Sequence, residues 1–180
     1  MKTRVGYAGG TKKNPTYHSL GDHTETIQID FDPDEISYEK LLGVFWADHD
    51  PQMRSWSQQY KTAVFYHNEE QKRLATETRD SLAAGMKGEI FTEIIPFSEF
   101  YFAEDYHQKY RLRHEHELMK VLDALYPDPV DFANSTVAAR LNGYLNGFGS
   151  FEDLQTEIND LGLHPESSKR LLQILQAQKR

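Results

Sequence analysis

The stretch His23-Thr-Glu-Thr-Ile-Gln-Ile-Asp-Phe-Asp-Pro-Asp34 decides how this chain reads. From Glu25 to Phe31 it alternates. Ile27, Ile29 and Phe31 point one way, and Thr26, Gln28 and Asp30 the other, as in a half-buried strand. Asp32-Pro33-Asp34 then turns the chain. Ser37 can cap a helix in which Leu41, Leu42, Phe45 and Trp46 share a face, and His49-Asp50-Pro51 ends it. A strand followed at once by an amphipathic helix indicates an α/β layer.

Working outward, residues 1–24 carry no helical period. Gly6, Gly9, Gly10, Asn14-Pro15 and Gly21-Asp22 are chain-bending signals, so loops and turns are expected there. Tyr60 to Tyr66 reads as a second strand, after a polar loop over 52–59. Asn68 caps a long helix to about Met86, with Gly88 as its stop. Glu89 to Pro96 reads as a third strand, followed by the aromatic cluster Phe97, Phe100, Tyr101 and Phe102. Helices are expected over 104–113 and 114–125. Residues 130–149, with Gly143, Gly147 and Gly149, are expected to be irregular. Ser150 with Asp153 has capping-box spacing, and Phe151, Leu154, Ile158 and Leu161 share a face. Pro165 opens a last helix with Leu171, Leu172 and Leu175 inside. The fold class expected is α/β (α+β): a mixed sheet with flanking helices over 1–149 and a C-terminal helical hairpin over 150–180. The bland expectation for that hairpin, packing on its own domain, outweighs a partner-binding role.

Hydrophobic residues make up 38% of the 180 and aromatics 12%, enough for a packed core. The formal charge of −8 argues against a phosphate-binding surface, which needs clustered Lys and Arg. No apolar run approaches the ~20 residues that cross a bilayer. A soluble, cytoplasmic protein with no nucleic-acid or membrane partner is expected. The sequence contains no Cys, so these 180 residues provide neither thiolate chemistry nor a disulfide.

Several residues could carry chemistry. Glu25 shares strand parity with Ile27, Ile29 and Phe31, so it is expected at the core side, where desolvation favours a protonated carboxyl able to donate a proton. A frayed strand end would instead put it in water. Tyr17 and Tyr60 lie in or beside loops, where a hydroxyl can reach a ligand; rings in the core are the alternative. Gly6-Tyr7-Ala8-Gly9-Gly10 lacks the Lys-Ser/Thr of a phosphate loop and reads as a tight turn. His114-Glu115-His116 lacks the i, i+4 pair of a zinc helix, and Lys72 and Arg73 read as solvated charge; no metal site is expected.

Taken together, Val5-Gly-Tyr-Ala-Gly-Gly10, Asn14-Pro-Thr-Tyr17, His23-Thr-Glu25, Ile36-Ser-Tyr-Glu39 with Leu41-Leu42, Phe45-Trp46, His49-Asp-Pro51, Gln59-Tyr60 and Phe102-Ala-Glu-Asp-Tyr-His-Gln108 resemble the A-type peptide methionine-S-sulfoxide reductases. The segments occur in the family's order and cover roughly residues 5 to 112; residues 113–180 show no motif that aligns, and their role stays open. The resemblance implies a ferredoxin-like core and reduction of methionine-S-sulfoxide, free or in oxidised proteins. It places Glu25 on the family's acid and Tyr17 and Tyr60 on its oxygen-binding tyrosines. The family uses no prosthetic group; thioredoxin or another thiol reduces the spent enzyme.

This sequence also departs from the family pattern. The family's nucleophile sits in a Gly-Cys-Phe-Trp-Gly motif about twenty residues before the Gly-Tyr-Ala-Gly-Gly segment, with a strand before it, a helix after it, and the Phe and Trp that hold the substrate methyl. None of this is present here. Gly143-Tyr144 is followed by Leu145 where a resolving cysteine is frequent, and Ser55 stands about where members carry a substrate-supporting Asp. Two expectations follow. Either Met1 is a mis-assigned start and a Cys or selenocysteine lies upstream, or the chain is an inactive module that binds methionine sulfoxide through Tyr17, Glu25 and Tyr60. Either way, the 180 residues alone are expected to be inactive and, lacking a strand, poorly stable or self-associating.

Overall fold

The computed structural model describes residues 1–178. The chain divides into two compact units: Val5–Ala103, and Met1–Arg4 together with the residues from Glu104 onward. The α+β class holds.

In Val5–Ala103 the strands form two small sheets. β1 (Lys2–Ala8) lies between β2 (Thr24–Asp30) and β5 (Phe100–Phe102), with β1 and β5 antiparallel in the register Gly6↔Phe102 to Ala8↔Phe100. β3 (Ala63–Tyr66) and β4 (Glu93–Pro96) pair in parallel from Ala63↔Glu93 to Tyr66↔Pro96. Helix α2 (Glu69–Ala84) makes the crossover that parallel strands require. Helix α1 (Tyr38–Ala47) packs with it: Leu42, Trp46, Val64 and Ala75 form one buried cluster, and the Trp46 indole N–H donates to Thr78 Oγ1 at 3.1 Å.

Local signals hold at the caps. Ser37 accepts from Lys40 N, and Asn68 accepts from Gln71 N at 2.9 Å. The long helix stops at Gly85 rather than Gly88, where the Gly85 N–H already bonds to Leu82 O. Lys72 and Arg73 pair with Glu69, Glu70 and Glu77 on its solvated face. β3 begins at Ala63 because Gln58–Tyr60 close a 3-10 turn first.

The N-terminal segment expected as loop is strand β1 over Lys2–Ala8. Its pairing with β5 is non-local; Tyr7 is buried against Leu20 and Ala103, and Ala8 is buried beside it in the chain.

The helical unit holds α3 (Tyr110–Arg113), α4 (His116–Leu125), α5 (Pro129–Asn134), α6 (Thr136–Leu145), α7 (Phe151–Glu157) and α8 (Pro165–Gln178). Residues 130–149 are thus mostly helical, not irregular. Asp128 and Ser135 cap α5 and α6, Pro129 sits at an N-terminal position where no N–H is needed, Gly143 is accommodated in the last turn of α6, and Gly147 and Gly149 lie beyond it. The Ser150–Asp153 capping box forms. Leu154, Ile158, Leu171 and Leu175 join Leu112, Leu118, Leu122 and Leu141 in one core. α7 and α8 therefore share a core with the helices before them. Residues 179 and 180 lie outside the described residues.

Buried in this unit, Lys109 stands in the left-handed region at φ 53 and donates from Nζ to Thr3 O, Thr3 Oγ1 and, at 2.9 Å, Ala133 O. Burial, then the charge of Arg4, pulls its pKa down to about 8.

Candidate active site

The loop between β1 and β2 is fixed by two side chains. The Asp22 carboxylate accepts from Thr11 N, Thr11 Oγ1 and Lys12 N at 2.8–3.1 Å. These bonds hold its pKa down to about 2, the Thr11 hydroxyl contributing most. His23, buried, accepts from Gly10 N at Nδ1 (3.2 Å) and donates from Nε2 to Lys12 O (2.7 Å). A Cβ at Gly10 would stand 2.6 Å from His23 N, so the turn needs glycine there. The pinned loop packs Tyr17 against the Tyr7–Leu20 cluster.

The start of β2 is tied to the 3-10 turn. Thr24 Oγ1 bonds to Gln59 O and Lys61 O at 3.0 and 2.9 Å, and Gln58 Nε2 donates to Asp22 O. The three predicted residues meet at this junction. The Tyr17 and Tyr60 hydroxyls hydrogen-bond to one another, and the Glu25 charge is felt at Tyr60. Gln59 Nε2 donates to Glu25 Oε1 at 2.6 Å. The Tyr60 hydroxyl is held above its usual pKa first by the bond with Tyr17, then by burial and by the charges of Tyr17 and Glu25. It therefore stays a proton-bearing donor well above neutral pH.

Glu25 is not on an apolar core side, as strand parity suggested. It is exposed, and Ile27 on the same strand is 59% exposed. That side of β2 opens onto a groove of about 440 Å³. Six successive residues of β2, Thr24 to Ile29, and five around β3, Lys61 to Phe65, line the groove, with Leu42 and Phe45 among its apolar residues. Successive lining residues mean that the strand edges, and not one face, border it. β2 is the last strand of its sheet and β3 the last of its own. The groove is thus a slot between two strand edges, with Glu25 and Tyr60 on its rim.

Ser55 serves its own loop: its Oγ donates to Ser57 O at 2.7 Å and accepts from Ser57 N. His114 Nδ1 bonds to Tyr110 O, its ring packed on Tyr110. Of the aromatic cluster, Phe97 and Phe100 line the slot and Tyr101 packs with the Tyr7 cluster. Two features escaped the sequence reading. Gln59 fixes the Glu25 carboxylate, and Trp56, 83% exposed, lies with its ring centroid 5.0 Å from that of Tyr60. A loop position has no periodicity to flag either residue.

Comparison with known proteins bears on the whole chain. The family described as "Peptide methionine sulfoxide reductase" matches residues 1–131. "Selenoprotein methionine sulfoxide reductase A, helical domain" matches residues 130–169, so the likeness continues past residue 112, where the motif reading ended. The chain is 41% identical over 167 residues to the peptide methionine sulfoxide reductase of Drosophila melanogaster, covering 92% of this chain and 67% of that protein. It is 45% identical over 121 residues to the MsrA of Methanosarcina acetivorans, covering 61% and 64%, and 39% identical over 150 residues to reductase A5 of Oryza sativa, covering 80% and 58%. The chain therefore spans about three fifths to two thirds of these relatives. Among solved structures, methionine sulfoxide reductase A of Corynebacterium diphtheriae aligns with a TM-score of 0.54 at 31% identity, covering 64% of each chain. Reduced Mxr1 of Saccharomyces cerevisiae aligns at 0.57 and 26%, covering 60% of this chain and 68% of that one. By sequence and fold alike, the chain belongs to the peptide methionine sulfoxide reductase family.

Proposed function

We propose that this chain forms the oxygen-binding and proton-supplying side of a methionine-S-sulfoxide reductase site. Glu25 and Tyr60 on the rim of the slot, with the Tyr17 hydroxyl bonded to that of Tyr60, carry this reading. A sulfoxide oxygen bears much of the S–O bond's negative charge. Two phenol hydroxyls can donate to it, and a carboxyl group can relay a proton. Gln59 fixes one Glu25 oxygen, which orients the other. The attacking thiolate or selenolate comes from a strand outside these 180 residues that seats between β2 and β3. The slot between two strand edges supports this, as does the match to a selenoprotein helical domain.

In the overall step, the chalcogen anion, the sulfoxide and one proton give the thioether and a sulfenic or selenenic acid. Oxygen passes from substrate sulfur to the nucleophile, and the substrate sulfur gains two electrons. A thioredoxin-like dithiol then reduces the acid: one thiol condenses with it and releases water, and the second displaces the nucleophile, leaving a disulfide.

A chimera tests this: the chain preceded by a strand–Gly-Cys-Phe-Trp-Gly–helix segment of the family, assayed with a methionine-S-sulfoxide peptide and dithiothreitol. The chimera turns over and the 180-residue chain does not. Glu25→Gln lowers the chimera's kcat by about a hundredfold or more. A folded chimera without turnover, or one indifferent to Glu25→Gln, overturns the proposal.

A further inference from the structure

Trp56 is more exposed than any other large apolar side chain among the described residues. Its loop is nevertheless tightly held. Pro51 O accepts from Phe91 N at 2.8 Å, Gln52 Nε2 donates to Lys87 O at 2.8 Å, and the Arg54 guanidinium lies 4.6 Å from the centre of the Phe91 ring. Ser55 and Ser57 lock the backbone on either side of Trp56, and Tyr60 N closes the following turn onto Ser57 O. An indole that a rigid loop holds out in water loses little conformational freedom on contacting a ligand, and so suits an anchor.

Its position is also informative. The Trp56 and Tyr60 rings meet at 5.0 Å with their planes at 46°. Trp56 itself borders a second depression of about 410 Å³, whose lining is largely polar (Arg54, Lys61 and Glu93 among others) with Phe91 as its other aromatic residue. Lys61 and Thr62 border both this depression and the slot. A polypeptide whose oxidised methionine reaches Tyr60 would meet the indole within about two residues, because the rings lie 5.0 Å apart and an extended chain advances about 3.3–3.6 Å per residue.

We infer that the Trp56 indole, at the edge of this depression, forms a subsite for an apolar side chain next to methionine sulfoxide in a polypeptide substrate. This rests on the reading of Tyr17, Tyr60 and Glu25 given above. The subsite takes an aromatic or branched aliphatic side chain against the indole face, while the peptide backbone runs over Lys61.

The 180-residue chain has two tryptophans, and Trp46 is buried, so ligand-dependent emission changes report Trp56. Three probes are titrated: a tetrapeptide with methionine sulfoxide followed by phenylalanine, the same peptide unoxidised, and N-acetyl methionine-sulfoxide methylamide. Calorimetry gives Kd where emission is silent. The oxidised tetrapeptide binds about tenfold or more tighter than the methylamide, as expected for an aromatic anchor. Trp56→Ala removes that preference and leaves the methylamide Kd unchanged, while Trp56→Phe keeps part of it. Unaltered Trp46 emission certifies that the variants fold. Equal affinity for the tetrapeptide and the methylamide, or a preference that survives Trp56→Ala, overturns the subsite and leaves the sulfoxide reading standing. Equal affinity for oxidised and unoxidised tetrapeptides, or no binding of either, sinks the sulfoxide reading and the subsite with it.

Discussion

Ile27→Ala probes the slot directly. In the 180-residue chain Ile27 is 59% exposed, so less than half of its burial is realised. Complete burial of such a side chain contributes about 1.5–3 kcal/mol. The exposed fraction therefore leaves roughly 1–2 kcal/mol to be gained when a strand covers it. Ile27→Ala is expected to cost the chain about 1 kcal/mol or less, and the chimera that carries the strand about 1–2 kcal/mol more. Urea unfolding of both proteins, with and without the substitution, gives the four free energies, and the difference between the two costs is the quantity of interest. A difference below about 0.3 kcal/mol, or one of opposite sign, would show that nothing seats on the slot beside Ile27, and the proposed place of the nucleophile would fall with it.

Three further outcomes are expected. Tyr17→Phe and Tyr60→Phe each weaken methionine sulfoxide peptide binding by about tenfold, since each removes a donor to a strongly polar oxygen, while the melting temperature barely moves; a large drop in melting temperature with unchanged Kd would make the pair structural. For Lys109, the folded pKa of about 8 lies below the ordinary 10.5, so between those values the unfolded chain holds a proton that the folded chain has released. Stability therefore rises from pH 8 to 10.5, by up to about 3 kcal/mol, and urea unfolding of Lys109→Met should lack this rise. Asp22 has the opposite sign: its contribution is complete above its unfolded pKa of 3.8 and is lost as pH falls toward about 2, a loss that acid-unfolding curves of Asp22→Asn should not show.

The sequence disclosed whatever is decided locally. The caps at Ser37, Asn68 and Ser150 depend on residues three positions away, and all three form. β1 was hidden because Gly6 within it and Gly9 and Gly10 just after it signal turns, whereas its partner β5 lies more than ninety residues on, at Phe100–Phe102. α6 was hidden behind Gly143, Gly147 and Gly149, although Ser135 caps it and Leu141 buries its inner face. The parity of Glu25 was legible; its exposure was not, because a strand side is buried only if another element covers it. Tyr17, Glu25 and Tyr60 are far apart in sequence, and only the motif resemblance grouped them before the fold did.

The two-edged slot ties architecture to reactivity. A guest strand there would take up ladder hydrogen bonds from β2 on one flank and β3 on the other, joining a three-stranded and a two-stranded sheet into a continuous one. Two-stranded units are marginal on their own, so the β3–β4 half gains most from such a bridge. In a protein built this way, the element that brings the reacting chalcogen is also the keystone of the sheet, and a polypeptide deprived of one is deprived of the other.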